Sequence, residues 1–183
     1  NVRSLGSAID GLKPSQRKVL YACLKRKLSS EIKVAQLAGY VSEHAAYHHG
    51  EMSLQGTIVA MAQNFVGSNN IPLLFPSGQF GTRLQGGKDS ASARYIFTRL
   101  QEVTRMIYPA ADDPLLTYRD DDGFLVEPEM YVPVIPMALV NGIEGIGTGW
   151  STSVPMYNPL HLIEWLIDDI EGKAKDELVP WTR

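Results

Sequence analysis

Cysteine is almost missing from this chain. Cys23 is the single one among 183 residues, which rules out an intrachain disulfide and fits a reducing compartment. It falls on the apolar stripe of a predicted helix, so it reads as a buried structural thiol rather than a nucleophile. No apolar run has the length of a membrane span, and no signal peptide is visible. Internal repeats and low-complexity stretches are missing too. A glycine-rich run at 140–150 lacks both a Walker lysine and a G-x-G-x-x-G register, which excludes a nucleotide loop. The aspartates of 110–123 do not take EF-hand spacing and read as a solvated hairpin turn. Tyr47-His48-His49-Gly50-Glu51 resembles a metal cluster, but His44 and His161 stand alone and there is no second Cys/His cluster, which disfavours zinc. No Ser/His/Asp or Cys/His set stands out. An initiator Met is missing at Asn1, and no evident element follows Trp181, as expected of a piece of something longer.

What remains is ordinary for a folded domain: 44% hydrophobic and 20% charged residues. The net charge of −3 conceals a split. Residues 1–105 hold 13 Lys and Arg against 6 Asp and Glu, whereas residues 106–183 hold 4 against 14. The first half therefore suits a polyanion, with solvated surface charge as the plainer alternative. Arg3, Lys13, Arg17, Lys18, Lys25, Arg26, Lys27 and Lys33 concentrate the positive charge and point to nucleic acid.

Periodicity predicts helices over 12–28, 33–44 and 51–65. The first carries Leu12, Val19, Leu20, Cys23, Leu24 and Leu28, with Pro14 tolerable in its first turn. Lys13, Arg17 and Lys18 lie mostly off that stripe and can face a phosphate backbone. The second carries Val34, Leu37, Ala38 and Val41; the third carries Leu54, Thr57, Ile58, Met61 and Phe65. Short β-prone pieces follow at 71–75 and 79–84, punctuated by Pro and Gly. Three helices and a small hairpin is the order of a winged-helix domain, although other small α+β domains share it. A fourth helix is expected over 96–107. Residues 126–138 read as proline-punctuated extended chain. Asn158-Pro159 should open a last helix to about Ile170, with Leu160, Ile163, Leu166, Ile167 and Ile170 inward.

Arg94-Tyr95 sits between a polar run, 84–90, expected to be flexible, and the fourth predicted helix. Taken locally, Tyr95 is one of eight tyrosines and merely starts a packed helix. The surrounding motifs reverse that reading. In order along the chain stand Asp10-Gly11-Leu12-Lys13-Pro14-Ser15-Gln16-Arg17-Lys18, Lys33-Val34-Ala35-Gln36-Leu37-Ala38, Tyr47-His48-His49-Gly50-Glu51-Met52-Ser53-Leu54 and Ala62-Gln63-Asn64-Phe65-Val66-Gly67-Ser68. Gly78-Gln79-Phe80-Gly81-Thr82-Arg83, Gly87-Lys88-Asp89-Ser90-Ala91-Ser92-Ala93-Arg94-Tyr95-Ile96-Phe97 and Asn141-Gly142-Ile143-Glu144-Gly145-Ile146-Gly147-Thr148-Gly149-Trp150 complete the series. Together they closely resemble the breakage-reunion region of eukaryotic-type (type IIA) DNA topoisomerase II, over nearly the whole chain and more weakly after about residue 155. Ala93 stands where many relatives carry proline, Ile143 replaces a common alanine and Ser15 a common glycine; no reacting group is lost.

The resemblance implies an α+β fold. Residues 1–133 would be a winged-helix DNA-cleavage domain, and 134–183 the start of an α/β tower domain. It implies that Tyr95 attacks a DNA phosphodiester, leaving a 5′-phosphotyrosyl link and a free 3′-hydroxyl. A phenol ionises only near pH ~10, so such a nucleophile needs help at neutral pH. The same resemblance assigns that help to Arg94, on the scissile phosphate, and to His49 and His48, near it. Arg3, Lys13, Arg17, Lys18 and Lys33 would contact DNA, and Ile146 would wedge between base pairs and bend the duplex. The full enzyme would be an ATP-dependent homodimer on double-stranded DNA, without a membrane, changing DNA topology in chromosome segregation. Mg²⁺ and ATP would be bound outside this segment, which would supply no metal ligands and would be inactive alone. A nuclear setting is expected, or a viral factory or host cytoplasm if a large DNA virus encodes it. The competing reading is a non-catalytic winged-helix DNA-binding module in which Tyr95 only packs. A structural dimerisation module is a third.

Overall fold

The structure, a computed structural model, describes residues 3–183. Three helices form its base: α1 (Pro14–Arg26); then, after the short strand β1 (Ile32–Lys33), α2 (Val34–His44); and α3 (Glu51–Ala62). Each forms where the apolar spacing predicts. Val19, Leu20, Cys23 and Leu24 on α1, Val34, Leu37, Ala38 and Val41 on α2, and Leu54, Ile58 and Met61 on α3 are buried in one cluster. Burial pushes the Cys23 thiol up to about 12, which suits a structural role and not a nucleophile at neutral pH. α3 is shorter than its apolar pattern, which runs on to Phe65. The Asn69 side-chain amide donates to Ala60 O (2.8 Å) and Gln63 O (2.9 Å), taking up carbonyls at the helix end.

The helix expected over 96–107 is strand in its first part. β2 (Phe97–Thr98) pairs antiparallel with β1, Ile32 opposite Thr98 and Lys33 opposite Phe97. Its other edge bridges to Ser77, while Leu74 bridges to Leu100. Ile96, Phe97 and Thr98 are β-branched or aromatic and favour extended backbone in a half-buried setting. Helix begins at α4 (Glu102–Ile107), with acidic Glu102 in its first turn. The expected 71–84 hairpin therefore has a different partner: its first part pairs with 97–100, and Arg83–Gln85 forms a 3₁₀ turn. The polar run 84–90 is tied down as well. The Thr82 amide and hydroxyl both donate to Asp89, each at 2.8 Å, and Gln63 Nε2 donates to Phe80 O (2.9 Å) and Gly87 O (3.3 Å).

After a 3₁₀ segment at Ala110–Leu115, β3 (Tyr118–Asp121) and β4 (Phe124–Pro128) form the hairpin expected at the acidic turn. Asp122 and Gly123 close it, both with positive φ (51° and 87°). Lys18 Nζ donates to Glu127 (2.8 Å) and fastens the hairpin to α1. The chain then passes α5 (Met137–Val140), within the stretch expected to be extended, and a second hairpin, β5 (Ile143–Gly147) with β6 (Trp150–Val154). α6 (Pro159–Ile170) ends the regular structure. Asn158 caps α6 as expected, its side chain accepting from Leu160 N (2.9 Å).

Residues on both sides of 133 share one core. Met137, Val140 and Leu162 are buried in the same cluster as α1–α3. Asn70 Nδ2 donates to Val140 O (2.9 Å), Tyr157 O (3.2 Å) and Trp181 O (3.2 Å), so one buried amide gathers three separate segments. The inward face expected for α6 is corrected. Leu162 is its buried residue; Leu160, Ile163, Ile167 and Ile170 are exposed, because the core meets α6 on another side.

Candidate active site and nucleic-acid interface

Tyr95 stands on a tight turn, its amide donating to Ser92 O (2.9 Å). Ala93 and Ile96 on either side are buried, so Arg94 and Tyr95 turn outward, and Tyr95 is 70% exposed. The Arg94 guanidinium lies 5.4 Å from the Tyr95 ring centre. The turn is pinned from two directions. The first amides of α2 donate into it, Val34 N to Ile96 O and Ala35 N to Ala93 O, both at 3.0 Å. From the other side, Ser77 and Phe97 exchange backbone bonds and Ala91 N donates to Gln79 O (2.9 Å). Gly78 makes the close packing there possible: at φ +111°, a Cβ would lie 2.9 Å from Ile96 Cγ2. In place of the flexible approach expected from the sequence, the structure offers an exposed hydroxyl on an anchored frame.

His48 and His49 lie elsewhere, in an open cleft of about 690 Å³ lined also by Arg3, Lys18, Tyr47, Arg119, Asp121 and Glu127. Both histidines sit just before α3 and are exposed. The His49 ring meets Tyr47 edge-on, centres 5.4 Å apart. His48 Nε2 lies 2.9 Å from Asp121 Oδ2 at the tip of the β3–β4 hairpin. Arg94 and Tyr95 do not line this cleft. The four residues expected to act together are thus presented at two places on one chain.

The basic residues divide as well. Arg3 is exposed at the cleft. It is held there through its neighbours: Gly145 of β5 lets the backbone of Ser4 lie against the hairpin, since a Cβ at Gly145 would overlap Ser4 O. Lys33 is exposed beside Arg26 and Lys27 in a groove between α1 and β2. Lys13 is half-buried at the start of α1, where its amide donates to Gln16 Oε1 (2.8 Å). Two expectations are corrected. Arg17 does not face outward: it is buried, donating to Asp10 at 2.7 and 2.9 Å and to Leu12 O at 3.0 Å. Asp10 also accepts from Leu12 N and Tyr131 N, so this pair joins the N-terminal loop, α1 and the segment after β4. Lys18 is engaged by Glu127 and Ala45 O, so its ammonium is not free for a phosphate. Helical spacing shows that a side chain leaves the apolar stripe, but not that a carboxylate waits there.

Ile146 is 84% exposed near the tip of the β5–β6 hairpin, opposite Ser151, with exposed Trp150 close behind. An apolar side chain offered this way on a stiff two-stranded arm suits insertion into a stacked partner. Among the described residues, no group of three or more His, Cys, Asp or Glu side chains is placed to hold a metal ion. No described helix is long and apolar enough to cross a membrane. Sequence reasoning missed Asp121 and Arg119 as cleft residues, because the Asp121–His48 pair spans 73 positions.

The family model for the A-type chain of DNA gyrase/topoisomerase IV matches residues 3–183. DNA topoisomerase 2 of Candida albicans is 62% identical over 99% of this chain and 12% of its own length. The mitochondrial DNA topoisomerase 2 of Dictyostelium discoideum is 59% identical over the whole chain and 14% of its own. The chain therefore spans about an eighth of the length of these relatives. Among solved structures, the DNA-binding, cleavage and re-ligation domain of Plasmodium falciparum topoisomerase II superposes with a TM-score of 0.98 at 55% identity, over all of this chain and 25% of that one. The α+β, winged-helix-like class expected from the sequence is the class observed.

Proposed function

The chain belongs to the DNA gyrase/topoisomerase IV family, matching the breakage-reunion region of topoisomerase II, and from that premise we propose that it is the DNA-cleaving segment of a type IIA topoisomerase. The support from geometry is the placement of Tyr95: exposed, on a turn fixed by four backbone segments, with a guanidinium beside it. Its Oη attacks a backbone phosphorus of duplex DNA. The new P–Oη bond forms as the P–O3′ bond breaks; the phenol gives up its proton and the departing 3′-oxygen gains one. Reversal reseals the strand, because a phenoxide is a good leaving group. Arg94 offsets charge building on the phosphate oxygens. His49 and His48 orient or polarise the phosphate, and Arg3, Lys13 and Lys33 hold the backbone. Ile146 wedges into the duplex and stabilises a bend.

Because Arg94 and Tyr95 stand outside the histidine cleft, we place the complete site across the two chains of a homodimer, the tyrosine of one meeting the cleft of the other. Residues 3–133 act as the winged-helix unit and 134–183 begin the tower. Mg²⁺ and ATP belong, in this proposal, to other parts of the longer protein. The side chains described here form no ligand set for a metal, and no step above depends on one. The protein works on chromosomal DNA in the nucleus. Tyr95→Phe in the full-length protein abolishes covalent protein–DNA adducts and leaves duplex affinity within about twofold. Unchanged adducts would sink the proposal, and lost adducts with lost affinity would favour a binding module.

A further inference from the structure

The β3–β4 hairpin carries three consecutive aspartates into the neighbourhood of a cleft that also presents Arg3, Lys18, Arg119 and two histidines. Carboxylates beside a phosphate-binding surface repel the ligand, so their presence calls for a local reason. Asp120 has one: its Oδ1 accepts from Gly123 N (2.9 Å) and shapes the turn. Asp122 sits at the turn itself, with φ +51°. Asp121 does neither. Its carboxylate leaves the hairpin and meets His48 Nε2 at 2.9 Å, with Asp121 about two-thirds buried and the imidazole three-quarters exposed. The hairpin that carries it is braced against α1 by the Lys18–Glu127 pair, and Lys18 also donates to Ala45 O, three residues before His48. One cation thus fixes both sides of the pair, the strand carrying Asp121 and the chain leading to His48.

We propose that Asp121 is the positioning residue of His48: it holds the imidazole in the Nε2–H tautomer and turns Nδ1 toward the cleft, where the DNA phosphate is bound. An exposed histidine on a short connection would otherwise sample several rotamers and both tautomers. A carboxylate on one ring nitrogen fixes the ring plane and decides which nitrogen faces the ligand, as in histidines oriented by an outer carboxylate. The braced hairpin makes this orientation a property of the folded chain before DNA arrives, so no ordering is needed when the phosphate enters. Asp120 and Asp122 do not substitute, because the turn fixes one and the register directs the other elsewhere.

This rests on the cleavage reading for its catalytic consequence but not for the pairing, and the two are separable. In the 183-residue chain, long-range ¹H–¹⁵N spectra of the His48 side chain show a fixed Nε2–H tautomer; in Asp121→Ala they show tautomer averaging, while the amide spectrum of α1–α3 is unchanged. An unchanged His48 signature in the variant would overturn the proposal whatever the enzyme does. In the full-length protein, Asp121→Asn and Asp121→Ala lower the cleavage rate about tenfold at saturating DNA. Duplex affinity stays within about twofold, and Asp121→Glu recovers most of the rate. A loss confined to DNA affinity, or a loss that Glu does not recover, would make Asp121 a hairpin residue only. Were the wild-type protein itself not to cleave, the cleavage reading would fail while the spectra still decided the pairing.

Discussion

Arg17 and Tyr95 show how two polar side chains of one chain take opposite roles through burial. Arg17 is enclosed and spends its donors on Asp10 and Leu12 O; Tyr95 is open to solvent. Removing Arg17 leaves a buried carboxylate whose remaining partners are two backbone amides. Arg17→Ala should therefore cost on the order of 3–5 kcal/mol of folding stability, read by urea unfolding. A substitution at exposed Lys33 should change stability by less than about 0.5 kcal/mol and act on DNA affinity alone. Equal stability in both variants would mean that the Asp10–Arg17 pair is not what joins α1 to its surroundings. The basic character of this region was legible in the sequence; which cations are free was not. Asp10 lies seven residues before Arg17, and Glu127 lies 109 beyond Lys18.

At the scale of elements, the tyrosine turn and the 82–89 loop are built alike, from local polar bonds on a packed base. Asp89 accepts from both the Thr82 amide and its hydroxyl, which lowers the carboxyl below its ordinary value of 3.8. A depressed value means that the carboxylate contributes order to the loop above the unfolded value, and that this is lost as pH falls through the lower folded value. The Thr82 amide resonance should therefore titrate below pH 3.8, and Asp89→Asn should remove that titration. A Thr82 amide indifferent to pH down to global unfolding would contradict the pairing. The helices α1–α3 were legible because their apolar residues recur at helical spacing and all face one core. The region 71–101 was not, because its strands are two residues long and pair across 20 or more positions. Periodicity needs several turns of pattern to register. The face of α6 failed for another reason: its pattern marks an apolar stripe, but the core of the described residues meets the helix elsewhere.

Across the whole molecule, the charge division falls near the change from cleft and tyrosine turn to the second hairpin and α6. The residues that carry the chemistry, however, are not in one place. Motif order along the chain identified Tyr95, Arg94, His48 and His49 together, but order says nothing about whether they meet within one copy. If the site is completed between two copies, a heterodimer of full-length Tyr95→Phe with His49→Ala retains one intact composite site and nicks one strand. Each homodimeric variant is impaired at both sites. Full double-strand cleavage by the heterodimer would contradict a composite site, and so would no cleavage from a heterodimer that still binds DNA.

The central claim, that Tyr95 is the covalent attachment point, is tested most directly by mapping the adduct. Full-length protein trapped on duplex DNA by rapid denaturation, then digested with nuclease and protease, should yield one nucleotide-bearing peptide. Fragmentation spectra should place the phosphate on Tyr95, with the DNA attached through its 5′ end. A phosphate on any other residue, or covalent adducts that persist in Tyr95→Phe, would contradict the account.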